Sequence, residues 1–160
     1  MPDPTPAPEP GPTPEAGPAP SGARPTHLAW GWGSLAVWVL FGLGLEALHA
    51  FKVPWYLDVG MEPRRLMFQL AHAHGALLGG VNIAFALSQE HLAWGKKGPD
   101  LASRLLKSAT LLLPGGFLLG GIWIRGGDPG YGVLPAPLGG LLMCASMLLV
   151  GKAALAARKP

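Results

Sequence analysis

Residues 66–87 are LMFQLAHAHGALLGGVNIAFAL, a run of 22 residues that contains no Lys, Arg, Asp or Glu. A helix needs about 20 predominantly apolar residues to cross a hydrocarbon core of about 30 Å. A helix on the surface of a soluble protein keeps a polar stripe along one side, and this run has none. The stretch therefore predicts a transmembrane helix, and this helix carries His72, His74 and Asn82 into the membrane.

Three further runs have the same character, so that the predicted helices cover about residues 28–50, 66–88, 105–124 and 133–155. Across the chain 49% of the residues are hydrophobic and 13% are charged, whereas soluble domains contain roughly 25% charged residues. One cysteine excludes a disulfide framework, and a net charge of +3 is too small for a nucleic-acid-binding module. The sequence predicts an all-α integral membrane protein with four transmembrane helices, whose main partner is the lipid bilayer.

The first 26 residues differ in composition from the rest of the chain. They hold 10 of the 18 prolines and no Leu, Ile, Val or aromatic residue. Such a segment cannot bury enough apolar surface to offset the entropy that is lost on ordering. We expect residues 1–26 to form a disordered Pro-rich tail and residues 27–160 to form the four-helix transmembrane domain.

The distribution of Lys and Arg predicts the orientation of these helices. With four spans, the tail, the middle loop and the C-terminus share one side and carry eight Lys and Arg, against four on the other side. Because positively charged loops stay in the cytoplasm, we expect a multi-pass protein of the inner (plasma) membrane with both termini cytoplasmic. Residues 51–63 and 125–130 then face outward, and the glycines and proline of residues 126–130 predict a tight turn.

Glycines at GxxxG spacing occur in two of the predicted helices, Gly75 with Gly79 and Gly116 with Gly120. In lipid, helices associate where small residues let two backbones approach closely. The spacing predicts close helix packing through these faces, including contacts in a homo- or hetero-oligomer.

Ionisable side chains inside a membrane are costly, so they mark candidate functional sites. Glu46 and His49 lie three residues apart, on one face of the first helix near its outer end. His72 and His74 lie in the same half of the membrane, but their spacing of two residues separates them by about 200° around a helix. One of the two histidines should therefore point toward Glu46 and His49, and the other toward the third or fourth helix.

These four residues form the candidate site, and their chemistry leaves several uses open. His49 with His72 or His74 could supply the axial ligands of haem b, and Glu46 with the three histidines could hold a transition metal. A carboxyl and a neutral imidazole could also transfer protons or bind a quinone. The same groups could instead make only interhelical hydrogen bonds. No phosphate loop, nucleophile triad, zinc spacing or CxxCH motif occurs, so we expect no catalytic residue and no covalent haem.

The segment AHAHGALLG, residues 71–79, resembles the histidine-bearing second helix of haem-copper oxidase catalytic subunits and their smaller membrane relatives. The resemblance extends to residue 87 and implies that His72 or His74 is an axial haem ligand, with His49 as the second. The third and fourth predicted helices contain no histidine, which implies a small cytochrome-like or accessory relative and no oxygen reduction. We expect a haem- or metal-binding redox or accessory protein; the alternative is a non-enzymatic membrane subunit or a small transport or proton-transfer component.

Overall fold

The computed structural model describes residues 23–158, so most of the predicted tail, residues 1–22, lies outside the described residues, as do residues 159 and 160. The helices are α1 (Ala23–Ala50), α2 (Pro54–Leu57), α3 (Glu62–Ser88), α4 (Gly98–Ile122) and α5 (Pro135–Ala156). Single 3-10 turns lie at Val59–Met61, Gln89–His91 and Tyr131–Val133. Within the described residues, four helices are long and apolar enough to cross a membrane, which confirms the predicted helical architecture.

Three of these helices begin earlier than the sequence predicts, and one of them is α3, which starts at Glu62 and not at residue 66. α1 starts at Ala23 and not at residue 28, and α4 starts at Gly98 and not at residue 105. A proline stands in the first turn of each helix, Pro25 in α1 and Pro99 in α4. In a first turn the missing N–H has no helical partner, and the fixed φ of proline suits the helix. α1 therefore includes residues 23–26, which the sequence analysis placed in the tail.

The long helices pack in the order of the chain. α1 lies against α3, α3 against α4 and α4 against α5, while α1 and α4 touch only slightly. In the inner helices α3 and α4, 39% and 44% of the apolar segment is buried inside the protein, but only 11% is buried in α1 and 17% in α5. The two outer helices therefore expose broad apolar surfaces.

The predicted GxxxG glycines bring helices together inside the chain. A side chain at Gly79 would collide with the backbone of Gly31 and with Leu35 in α1, and a side chain at Gly116 would collide with Ala136 in α5. These glycines permit the close helix contacts that lipid-embedded helices favour. The two glycine faces therefore serve packing between helices of one chain.

Buried apolar side chains of the three later long helices form the main core. Its members are Leu78, Phe85, Ala102, Leu106, Leu113 and Ala136. A smaller cluster of Leu45, Tyr56 and Phe68 joins α1, α2 and α3. This second cluster fixes the position of α2 beside the end of α1.

A tight hairpin connects α4 to α5. Strand β1 (Ile124–Arg125) pairs antiparallel with strand β2 (Asp128–Pro129). Gly126 and Gly127 form the turn between them, with φ angles of 60° and 87°. A two-residue turn of this kind needs positive φ at both central residues, which glycine adopts without strain. The turn predicted for this segment is confirmed.

Candidate functional site

A cleft of about 410 Å³ opens between α1 and α3 in the half of the molecule that contains α2. Its lining residues are Val39, Gly42, Leu43, Leu45, Glu46 and His49 of α1, Tyr56 of α2, and Gln69 and His72 of α3. The apolar residues of α1 lie toward the middle of the helix and the polar ones toward its C-terminal end. The cleft therefore combines an apolar interior with a polar rim.

His72 is held in this cleft by the backbone of α1. Its Nδ1 lies 2.7 Å from the carbonyl oxygen of Trp38, and because a carbonyl oxygen only accepts, Nδ1–H is the donor. The ring lies over Gly42, where any side chain would collide with the imidazole. Nε2 makes no hydrogen bond to any of residues 23–158, so the neutral imidazole keeps a lone pair there. Ligating histidines show this arrangement, in which a backbone carbonyl orients the ring through the other nitrogen.

Glu46 and His49 line the same cleft as His72, and both are exposed at the surface of α1. Tyr56 borders the cleft from α2 and is only 3% exposed. Burial raises the pKa of the Tyr56 phenol above its usual value, so the phenol stays protonated at neutral pH and can donate a hydrogen bond. The structure thus places Glu46, His49 and His72 around one cleft, as the spacing predicts for one of the two α3 histidines.

His74 lies on the other side of α3. Its Nδ1–H donates to the carbonyl oxygen of Leu70, 2.8 Å away and one turn earlier in the same helix. Its ring centroid lies 5.0 Å from that of Phe117 in α4. A helix turns about 100° per residue, so the His72 and His74 rings project in nearly opposite directions. His74 is therefore not brought together with the other three predicted site residues.

The donor set of the cleft suits haem better than a bare metal ion. A protein-held transition metal needs three or more ligand atoms converging on one point. Within residues 23–158, no group of three His, Cys, Asp or Glu side chains could hold a metal ion. Haem binding requires only one or two ligand side chains and an apolar surrounding. His72, with its free Nε2, and His49 at the rim are the residues that could hold it.

A second polar cluster, absent from the sequence predictions, lies near the opposite end of the helices. His27 is fully buried, with Nδ1 2.7 Å from Asn82 Oδ1 and Nε2 2.8 Å from Ser103 Oγ. Asn82 Nδ2 donates to Thr110 Oγ1 at 2.8 Å, which leaves Oδ1 as the acceptor for His27. The neutral imidazole therefore donates from Nδ1 and accepts at Nε2 from the Ser103 hydroxyl. This network joins α1, α3 and α4.

The sequence feature that could have revealed this network is the proline at the start of α1. Pro25 is typical of a first helical turn, and a helix that begins there includes His27. Asn82, which the second predicted helix carries into the membrane, bonds to His27 and Thr110. Its partner His27 could not be named, because the first helix was predicted to begin at residue 28 and His27 lies just before it.

Arg64 is buried near the end of the molecule that holds the cleft, at 8% exposure. It donates from Nη1 to the Trp55 carbonyl at 2.9 Å and from Nε to the Gly121 carbonyl at 3.3 Å, and its guanidinium lies 4.3 Å from the centroid of the Trp55 ring. Gly121 belongs to the last turn of α4, where carbonyl groups lack helical partners and the helix dipole is negative. Arg64 therefore caps α4 and is not a free loop charge.

Neither family models, nor curated protein sequences, nor solved structures match this chain. Its fold and site nevertheless define a class. The described residues form a helical protein with four helices that are long and apolar enough to span a membrane. An open cleft with a polar rim lies toward one end of these helices, and a closed hydrogen-bond network lies toward the other.

Proposed function

We propose that this chain is a multi-pass integral membrane protein of the inner (plasma) membrane, with four transmembrane helices and both termini in the cytoplasm. The length and apolar character of the four helices support insertion. The excess of Lys and Arg on the side of the termini supports the orientation. The cleft then lies toward the outer surface.

Within this membrane protein, the cleft between α1 and α3 binds haem b, and the chain acts as a small redox or accessory subunit. The observation that carries this proposal is the state of His72. Its Nδ1–H is fixed on the Trp38 carbonyl, and its Nε2 is free in a cleft with apolar walls. His49 lines the same cleft and is the second axial candidate.

The residues of the cleft have distinct parts in this proposal. Haem supplies one-electron redox chemistry when it is bound. His72 and His49 would hold the haem, and the Trp38 carbonyl orients the His72 ring through Nδ1–H. Val39 and Leu43 supply apolar surface along the α1 side of the cleft. Tyr56 lies at the rim, where its protonated phenol can donate a hydrogen bond.

A reduced-minus-oxidised absorption spectrum of the protein, purified in mild detergent and supplied with haem b, tests the proposal. The wild-type chain should show a Soret band that His72→Ala removes. His74→Ala is the matched control and should keep the band, because His74 faces α4. Size-exclusion chromatography verifies that both variants fold. A wild-type chain without the band, or an equal loss in both variants, would refute haem binding at His72.

A second candidate is a non-enzymatic membrane subunit or a small transport component, in which these side chains only hold helices together. The observation that favours it is the bond from His72 Nδ1–H to the Trp38 carbonyl, which joins α3 to α1 without any cofactor. Interhelical hydrogen bonds of this kind stabilise membrane proteins by themselves. On this candidate, His72→Ala lowers the unfolding temperature and the wild-type chain shows no Soret band.

A further inference from the structure

A groove of about 600 Å³ runs between α1 and α4, which touch only slightly. Its walls are mostly apolar and include Ala29, Trp30, Val37 and Trp38 of α1 and Leu111 and Leu118 of α4. Both hydroxyl groups at the groove, Ser34 Oγ and Thr110 Oγ1, already donate to backbone carbonyls. Along α1 the lining extends from residue 29 to residue 38, which is about 14 Å at 1.5 Å per residue. This length is close to half of a hydrocarbon core of about 30 Å, so the groove suits one acyl chain of one leaflet.

Two glycines widen this groove. Gly33 of α1 and Gly115 of α4 line it, and a side chain at either position would meet no atom within 4 Å. Gly79 and Gly116, in contrast, have no room for a side chain because another helix lies against them. The missing side chains of Gly33 and Gly115 therefore leave space open in the groove and do not serve helix packing.

Two cationic residues lie on α4 just before the groove begins. Arg104 and Lys107 precede Leu111 by seven and four residues, so all three lie on one side of the helix. Neither cation makes a hydrogen bond or an ion pair to any of residues 23–158. Charged groups within a membrane segment are costly and are found paired, and long side chains extend their charge toward the membrane surface. This end of the groove therefore suits an anionic partner.

We propose that the groove between α1 and α4 binds one anionic phospholipid of the leaflet on the side of the termini. The inference rests on the proposed insertion of the chain in a membrane. One acyl chain lies in the groove over Gly33 and Gly115, and the phosphate lies against Arg104 and Lys107. Basic sites between transmembrane helices on the cytoplasmic side bind anionic headgroups through the same attraction. The two cations thus select the headgroup, and the open groove holds the chain.

Native mass spectrometry of the full chain in mild detergent tests the headgroup. Titrations with dioleoyl phosphatidylglycerol and dioleoyl phosphatidylcholine compare an anionic and a zwitterionic headgroup on the same acyl chains. The wild-type chain should retain one phosphatidylglycerol, and the Kd for phosphatidylcholine should be about 5-fold higher or more. Lys107→Gln should raise the Kd for phosphatidylglycerol about 5-fold, which corresponds to the loss of one cation beside an anionic lipid. Lys152→Gln is the matched control, because it removes an exposed lysine of α5 on the same side of the membrane, and it should leave this Kd unchanged.

Filling the groove tests the position of the acyl chain. Gly33→Leu should remove the retained phosphatidylglycerol. Gly44→Leu is the matched control in the same helix, because Gly44 is also exposed and a side chain there would meet nothing within 4 Å, but it lies outside the groove and should keep the lipid. Gly115→Leu fills the same space from α4 and replaces Gly33→Leu if size-exclusion chromatography shows that the latter does not fold.

Three results would overturn the proposal: equal Kd values for the two lipids, equal effects of Lys107→Gln and Lys152→Gln, or wild-type retention of lipid in the folded groove variants. Inorganic phosphate, added at constant ionic strength, should not displace the lipid because it has no acyl chain, and displacement by inorganic phosphate would also overturn it. Recovery of the chain outside the membrane fraction would refute insertion and the lipid site together, whereas membrane recovery without retained phosphatidylglycerol refutes the lipid site alone.

Discussion

Replacing Asn82 by leucine tests the buried network that joins α1, α3 and α4. The Asn82 side chain is fully buried; it accepts a hydrogen bond from His27 and donates one to Thr110. Leucine is close in volume but can do neither. The substitution therefore removes two interhelical hydrogen bonds with little change in packing, and it leaves the His27 Nδ1–H buried without an acceptor.

The expected loss of stability follows from these contacts. Interhelical hydrogen bonds in membrane proteins contribute about 0.6 kcal/mol on average and up to about 1.7 kcal/mol, so two of them contribute about 1–3 kcal/mol. A second estimate comes from the desolvation penalty of the His27 Nδ1–H, because a buried donor without an acceptor costs about 1–3 kcal/mol. Both estimates describe the same loss, and we expect Asn82→Leu to lower the free energy of unfolding by about 1–3 kcal/mol.

Reversible unfolding in mixed micelles, followed by tryptophan fluorescence, measures this free energy. Gln69→Leu is the matched control, because it makes the same chemical change at an exposed amide of the same helix, and it should change stability by less than about 0.5 kcal/mol. Adding His27→Phe to Asn82→Leu removes the unpaired donor, so the double variant should be more stable than the sum of the single effects predicts. Wild-type stability for Asn82→Leu, or strict additivity in the double variant, would refute the reasoning.

Three further predictions concern glycines and orientation. Gly42→Leu should displace the cleft imidazole and weaken the Soret band by at least half, while Gly44→Leu, whose side chain meets nothing within 4 Å, should keep the band. Gly116→Ala should lower the free energy of unfolding by about 1–3 kcal/mol, because its Cβ overlaps the backbone of α5. Gly115→Ala has open space and should leave that free energy unchanged or raise it by up to about 1 kcal/mol. Asp128→Cys in a cysteine-free chain should react with an impermeant reagent from outside; reaction only from the cytoplasmic side would reverse the proposed topology.

The sequence predicts the helices better than it predicts their contacts. Long apolar runs with at most one charged residue each locate the four helices, because each run must be buried in protein or lipid wherever it lies. The first turns of α1 and α4 were missed because they are polar or proline-containing and lie outside these runs. Periodicity also separates His72 from His74, because the turn per residue in a helix is fixed.

The contacts of each histidine depend on the rotation of one helix against another, which periodicity does not supply. His72 reaches the Trp38 carbonyl because Gly42 leaves room for the ring against α1. His27 reaches Asn82 and Ser103 only because α1 extends past the apolar run. These contacts join residues that are far apart in the sequence, and the packing of the helices determines which polar side chains are hydrogen-bonded and which are free.

The two ends of the protein satisfy their polar groups in different ways, and this contrast is the reason for proposing a binding site at the end that holds the cleft. His27 uses both ring nitrogens, and its partner Asn82 uses its oxygen and its nitrogen, so neither side chain of this pair is free to bind a ligand. At the other end, Glu46 has no hydrogen-bond partner within the described residues, and His72 uses one ring nitrogen of two. Unsatisfied polar groups in lipid are costly and persist only where something binds them. The free Nε2 of His72 is the group that the proposed haem site uses, whereas the hydrogen bond from Nδ1 to the Trp38 carbonyl is all that a purely structural role requires.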